Sequence, residues 1–337
     1  MPAATKLITA HFGKSHVSLD TVREAETIFL EDPLVFEPSF FNEFFTLSSY
    51  CFWCIEAKLG LNANLSATIF KYLFPKRGHF FTILMGANFR KCFPWYQFPG
   101  LKCIYLFDAW PDFHTRIARF ATAFHIDFLF VSSSQAAETL KVKLPKTRCY
   151  WIPEGVDSSH YTFKAYENKD IDVLALGRRD EHYHGQIVNT LQSGGKIYLF
   201  EKEKGQLVFD TRDEFVTGLA RTKLSICIPS NRTHPERSGN FETMTVRYLQ
   251  SMASKCLIVG HAPAEMIQIF GYNPVIEIDS DNPEKQILNL LENYKSYIPF
   301  IEKNYTEVMA NHTWQNRWNQ ISAILKGNQN PEPTASA

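Results

Sequence analysis

Net charge is what this chain most plainly lacks. Its 35 Lys and Arg balance 35 Asp and Glu, so no overall basic field exists of the kind that non-specific nucleic-acid binding relies on, and no nucleic-acid partner is expected. Long apolar runs are also missing. The most apolar span, 40–55, is interrupted by Asn42, Glu43, Thr46, Ser48 and Ser49 and falls short of the ~20 apolar residues that a membrane helix needs. The opening MPAATKLITAHFGKSH shows no basic stretch followed by an apolar run and a small-residue cleavage site, so a secretory signal is not expected and the cytoplasm is the expected compartment. The seven cysteines are odd in number and scattered, mostly inside apolar strings such as CIYLF and KCLIVG; they read as reduced core residues. Cys51 and Cys54 form the single CxxC and have no second ligand pair. No GxGxxG follows any strand candidate, which ranks a dinucleotide oxidoreductase last. The Asn-x-Ser/Thr matches at Asn64, Asn231, Asn304 and Asn311 carry weight only in a secreted chain.

What is present is an ordinary globular composition tilted toward aromatics, with 28 Phe in 337 residues, a length that suits about two domains. The second half alternates short β-rich strings with helix-length amphipathic stretches. Strands are expected at 171–176, 196–200, 223–228, 256–260 and 274–278, and helices at about 183–192, 211–221, 243–254, 263–269 and 283–296. Such a series predicts an α/β fold with a parallel, doubly wound sheet. The functional loops should then follow Leu176, Ile228 and Gly260, at the carboxyl ends of the strands. The first half is less regular: strands near 6–10, 80–85, 102–110 and 126–134 are expected, with a helix at 114–124. The segment 147–170 breaks the rhythm and reads as an interdomain crossing, and the polar end beyond Lys326 reads as disordered.

The most informative stretch is 229–260, where a strand ends, a polar loop follows and a helix is expected to begin near Thr243. Amides of Thr243, Met244 and Thr245 at that helix start would suit a diphosphate. Glu242 could accept from sugar hydroxyls, or could simply complement the helix dipole; Gln250 could reach ribose hydroxyls, or be solvated. Gly177-Arg178-Arg179 ends the 171–176 strand and could clamp the same diphosphate, although surface arginines need no such role. Gly155-Val156-Asp157 taken alone is a turn. Asp279-Ser280-Asp281 has the form of a metal-binding pair, but a turn and helix start explain it equally well. His11, His16, His182 and His184 lack ligand partners at useful spacing. No metal site is expected.

Together these strings resemble the GT-B glycosyltransferases of family 4. WIPEGVD at 151–157 is similar to that family's I-P-N-G-V-D linker, ALGRR at 175–179 to its strand-Gly-Arg loop, and FETMTVRYLQSMASKCLIVG at 241–260 to its E-x7-E helix. HTWQNRW at 312–318 is similar to the start of its last helix. YLFDAWPDF (105–113) and VSSSQAAETL (131–140) extend the likeness more thinly into the first half.

The resemblance implies two Rossmann-like domains facing across a cleft: an acceptor-side domain over 1–150, a nucleotide-sugar domain over 151–310, a helix at 311–326 returning to the first domain and a tail at 327–337. It implies donor binding by Arg178, Arg179, Glu242, Thr243, Met244, Thr245 and Gln250, with Glu242 counted as catalytic too, and leaves Asp108, Asp112 and His114 as candidates for the catalytic or acceptor-orienting role, because Phe107 stands where the family often has histidine. The second glutamate of the family is Gln250 here. The implied reaction is metal-independent, retaining transfer from a nucleotide sugar to a glycan, lipid-linked or small-molecule hydroxyl, with no cofactor besides the donor. If the reaction inverts instead, Asp108 or His114 would be the general base. A non-catalytic two-lobed binding protein is the competing reading. Aromatic and basic residues at 70–81 suit either a core or peripheral contact with the inner face of a membrane near a lipid-linked acceptor.

Overall fold

The computed structural model describes residues 5–9, 20–38, 43–59, 78–177, 179–203 and 206–327. Arg178, His11, His16, Asn64, most of 70–81 and the tail beyond residue 327 therefore lie outside the described residues. The described residues divide into two compact units, one of those up to Pro153 together with those from Trp318 on, the other of Glu154–Arg317.

The first unit is built on a sheet of β1 (Thr5–Ile8), β2 (Val35–Phe36), β3 (Gly78–Met85), β4 (Gly100–Phe107), β5 (Phe128–Val131) and β6 (Arg148–Trp151), ordered β2-β1-β3-β4-β5-β6. Every pairing is parallel. Helices α1 (Asp20–Leu30), α2 (Glu43–Lys58), α3 (His114–Phe124) and α4 (Ser134–Lys143) are described with it. Parallel strands are covered on both faces, which is why they read as unbroken apolar strings such as CIYLF. Much of this core is aromatic. Phe81 stacks on Phe130 at 5.9 Å, Phe89 on Phe120 at 4.0 Å, and Trp53 of α2 meets Phe93, Phe120 and Phe124. The unit is completed by the end of the last helix, where Trp318 packs on Phe29 and donates from Nε1 to Asp32 at 2.9 Å. The reading of 147–170 as a crossing needs correction at its start, because Arg148–Trp151 forms the edge strand β6. Arg148 covers the ring of Phe128 there.

The second unit carries β7 (Ile171–Ala175), β8 (Tyr198–Phe200), β9 (Thr222–Cys227), β10 (Leu257–Gly260) and β11 (Ile276–Glu277), ordered β11-β10-β9-β7-β8 and again all parallel. Its helices are α5 (Glu181–Ser193), α6 (Arg212–Arg221), two short turns α7 (Ser230–Thr233) and α8 (Pro235–Ser238), then α9 (Val246–Ala253), α10 (Ala264–Phe270), α11 (Pro283–Glu292) and α12 (Ile298–Asn311), followed by α13 (Trp314–Leu325). Local signals set several starts. Thr211 and Glu214 close a capping box on α6, and Asp180 accepts from Tyr183 N to open α5. The period-two strand geometry sends Val173 and Ala175 to one buried cluster and Leu174 to the other.

Two ends of this unit meet. Val156 N donates to His312 O at 3.2 Å, Trp314 N to Val156 O at 3.1 Å, and Arg317 Nε to Glu154 O at 3.2 Å. Glycine at 155 is required for this approach, since a Cβ there would stand 2.8 Å from Trp314 N and 2.9 Å from Thr313 C.

Candidate functional site

The loops leaving β7, β9 and β10 at their carboxyl ends hold most of the candidate residues of the second unit. Gly177 follows β7 with φ +68°, a conformation that glycine adopts without steric cost. The guanidinium of Arg247 fills the space beside it, 3.2 Å from where a Cβ would be, and donates to the carbonyl of Leu176. Arg179, two residues on, is held by Glu181 at 3.1 Å and by Glu201 O at 2.7 Å, near the face of Phe200. Arg247 was not among the residues singled out from the sequence. Its signal is positional: it sits in the first turn of α9, five residues after Glu242.

Glu242 is one-quarter exposed and stands 3.9 Å from Arg232 Nε, with Oε2 accepting from Ala264 N at 3.4 Å. The hydroxyls of Ser230, after β9, and of Thr243 are both buried without a hydrogen-bond partner among the described residues. A buried unpaired hydroxyl is costly.

The helix start differs from expectation. The helix begins at Val246 with Thr245 as N-cap, three residues later than the sequence suggests, because Thr243 and Met244 are drawn inward and buried. Its leading amides are not all open to a ligand. Met244 N donates to Glu265 Oε1 at 2.7 Å, and Val246 N donates to Glu154 Oε2 at 2.6 Å. Both carboxylates are nearly buried, Glu154 at 6% and Glu265 at 4% exposure. The protein thus places its own anions where a diphosphate was expected, and the favourable dipole interaction is already used. One sign of this is legible in the sequence, where Glu154 replaces the asparagine of the linker pattern; the other, Glu265, is a residue 21 positions away with no motif around it. Replacing Glu154 with alanine removes a buried cap and should destabilise the second unit by about 1 kcal/mol, read as a lower urea midpoint at unchanged slope.

Gln250 is likewise turned inward. It is 7% exposed and donates from Nε2 to the hydroxyl of Tyr161 at 2.8 Å, which corrects the expectation that it reaches a ribose or lies in solvent. Asp279 closes a turn, its Oδ1 accepting from Asp281 N and Asn282 N at 3.0 and 3.1 Å ahead of α11. Among the described residues no three His, Cys, Asp or Glu are gathered to hold a metal ion.

In the first unit, Asp108 directly follows β4 and takes the left-handed conformation with φ +48°, unusual outside glycine and best tolerated by Asp or Asn. Its carbonyl accepts from Trp110 N at 2.8 Å. Asp112 is exposed on the turn before α3. His114 opens α3 but is 2% exposed, and Nε2 lies 3.0 Å from Ala109 O. Burial lowers its pKa, and the Ala109 contact opposes that only in part. The imidazole thus ties the start of α3 back to the 108–114 turn. The structure brings Gly177, Arg179, Glu242, Thr243 and Arg247 to one end of one sheet. Asp108, Asp112 and His114 cluster at the end of β4 in the other unit.

No family model matches this chain, and no curated protein matches it in sequence. Solved structures do match in fold. A glycosyltransferase from Rickettsia africae superposes with a TM-score of 0.54 at 12% identity, covering 97% of this chain and 98% of that one. A sucrose-phosphate synthase from Thermosynechococcus elongatus gives 0.54 at 12% identity, covering 96% and 98%. TarM gives 0.53 at 14% identity, but this chain spans only 57% of it while 77% of this chain is covered. The chain therefore has the GT-B fold, with two Rossmann-like units.

Proposed function

We propose that this chain is a glycosyltransferase that moves a sugar from a nucleotide-sugar donor to an acceptor hydroxyl. The observation that carries the reading is the placement of Arg247 against Gly177, two residues before Arg179, with Glu242 on the loop after β9, at the strand ends where a doubly wound sheet binds its ligands. Two of the structures that share its fold along nearly their whole length are named as a glycosyltransferase and a sucrose-phosphate synthase.

In this reading the diphosphate meets Arg247 and Arg179 at the end of β7, displaced from the start of α9 that Glu154 and Glu265 already neutralise. Fixed guanidinium groups stabilise the charge that builds on the leaving diphosphate without having to reorganise. Glu242 accepts from sugar hydroxyls. Arg178 belongs to the same loop in sequence. The acceptor proton passes to the leaving phosphate, giving retention without a metal or cofactor. The acceptor hydroxyl belongs to a glycan, a lipid-linked sugar or a small molecule.

The test is a thermal-shift series of nucleotide sugars and nucleoside diphosphates, followed by assay of diphosphate release. Ligand at a hundred times its dissociation constant should stabilise the fold by ~2.7 kcal/mol. Arg247→Ala and Glu242→Ala should each lower kcat/KM roughly tenfold, about 1.4 kcal/mol of transition-state stabilisation. Tight donor binding with no release over a range of acceptors would turn the reading toward the non-catalytic binding protein.

A further inference from the structure

Where β10 ends, an imidazole and a carboxylate stand together that the transfer chemistry above leaves unused. The parallel register sets Glu277 of β11 beside Gly260, and its Oε2 lies 3.0 Å from Nδ1 of His261, which follows that glycine. The other oxygen, Oε1, accepts from Ala262 N and from Asn273 Nδ2, each at 3.1 Å. His261 is fixed through its backbone as well, its N–H donating to Cys227 O at 3.2 Å and its carbonyl accepting from the Tyr248 hydroxyl at 2.6 Å. Ring and mount are both held.

The carboxylate decides the tautomer. An ionised Glu only accepts, so in the neutral ring Nδ1 carries the hydrogen and Nε2 is left as an acceptor. The side chain is 15% exposed, and Nε2 makes no hydrogen bond with another described residue. An imidazole oriented by a carboxylate in this way is set to receive a hydrogen from a ligand at its far nitrogen.

The pair belongs to the end of the sheet where Glu242 stands. Ala262 N donates to Glu277, and Ala264 N, two residues on, donates to Glu242 Oε2 at 3.4 Å. One turn, 261–264, thus ties both carboxylates, and three residues of chain reach at most about 11 Å, so a single ligand can meet Glu242 and His261 together. Both present acceptors. Bare phosphate oxygens cannot answer two acceptors, whereas a pair of hydroxyls can.

We infer that His261, held by Glu277, is a donor-binding residue that accepts from a hydroxyl of the transferred sugar next to the one Glu242 holds, which confines the donor to sugars with free hydroxyls at both places. The inference rests on the transfer reading and deepens it; Glu277 is a positioning residue that acts through His261.

The experiment separates sugar from diphosphate. His261→Phe keeps a ring and removes its nitrogens, and Glu277, 48% exposed, stays solvated, so the melting curve should hold. The probes are UDP-glucose, UDP-galactose and GDP-mannose, with UDP and GDP alone. The variant should bind the wild type's nucleotide sugar roughly tenfold more weakly, the scale of one hydrogen bond, and its nucleoside diphosphate within about twofold. His261→Gln, whose amide can stand near the place of Nε2, should recover part of the loss. Glu277→Gln tests the tautomer: its amide oxygen keeps Ala262 N and Asn273 Nδ2, so its NH2 faces the ring and Nδ1 has to accept. Nitrogen NMR of the full chain labelled at histidine should show the ring hydrogen on Nδ1 in the wild type and on Nε2 in Glu277→Gln, the His261 signals being identified by their loss in His261→Gln. Unchanged nucleotide-sugar binding in His261→Phe, an equal loss with UDP or GDP, or a ring hydrogen that does not move would overturn the inference and leave the transfer reading standing. A wild type that binds none of the five probes would bring down the transfer reading, and the inference with it.

Discussion

Gly260→Ala should cost the second unit about 3–5 kcal/mol, the combined scale of a forced backbone conformation and an overpacked core. Gly260 ends β10 with φ +156°, and a Cβ on it would stand 1.8 Å from the carbonyl oxygen of Cys227 on β9. That oxygen is backbone, so no rotamer change can clear it, and it also accepts from His261 N at 3.2 Å and from the hydroxyl of Tyr248 at 3.2 Å. Relief requires the β9–β10 pairing to open at the point from which two of the candidate loops depart. Gly271→Ala provides the comparison. It has φ +71° but nothing within 4 Å of the new methyl, so only the left-handed backbone penalty of about 1 kcal/mol applies. Denaturant unfolding of the two variants should therefore separate them clearly; equal losses would mean that the close approach at Gly260 is relieved by small shifts.

The second large effect is acid sensitivity centred on His312. This side chain is 3% exposed, stacked on Phe270 with ring centroids 4.4 Å apart, and its Nδ1 accepts from Arg317 Nη2 at 2.8 Å. Burial, and then the neighbouring Arg317 charge, push its pKa down to about 3. Glu307 lies 3.5 Å from Nε2 and pulls the other way, but at that distance it makes no hydrogen bond, while protonating Nδ1 would set donor against donor. The sign follows directly. The unfolded chain takes up this proton below its ordinary value near 6.5 and the folded chain does not, so stability is fully present above about pH 6.5 and declines as pH falls toward 3. At pH 5 the loss should be about 2 kcal/mol relative to pH 7.5. Buried His114 and the lowered His184 add losses of the same sign, so the measurement is the difference between wild type and His312→Gln. The variant should show a flatter stability profile between pH 7.5 and 5, and parallel profiles would remove His312 as the source.

The second unit could be read from the sequence because its strands are buried on both faces. Strings such as IDVLAL and CLIVG carry the signal within themselves, and the helices between them have caps such as Thr211 and Asp180 that act locally. The first unit hides more. Helix α2 buries Trp53 but also has Thr46 and Glu56 inside and Leu47 and Ile55 outside, so its apolar pattern is a poor guide to packing. Strand β6 is only RCYW at a sheet edge, and an edge strand needs few apolar residues. The candidate site was legible by residue type at Glu242 and Arg179, but not by neighbourhood. Glu154 reaches Val246 across 92 residues, and the inward turn of Gln250 depends on Tyr161, 89 residues earlier. Hydrogen bonds of that span leave no periodic trace.

The meeting of Glu154 with Arg317, 163 residues apart, makes the second unit an insertion whose entrance and exit coincide. Closing so long a loop in a disordered chain has an entropic cost on the order of 4 kcal/mol, and the folded second unit meets that cost within itself. It hands the chain back where it received it, so the final helical segment that seats Trp318 against Phe29 and Asp32 is delivered to the first unit as though it were local. The amino-terminal unit is thus discontinuous along the chain, its last piece supplied from beyond Arg317.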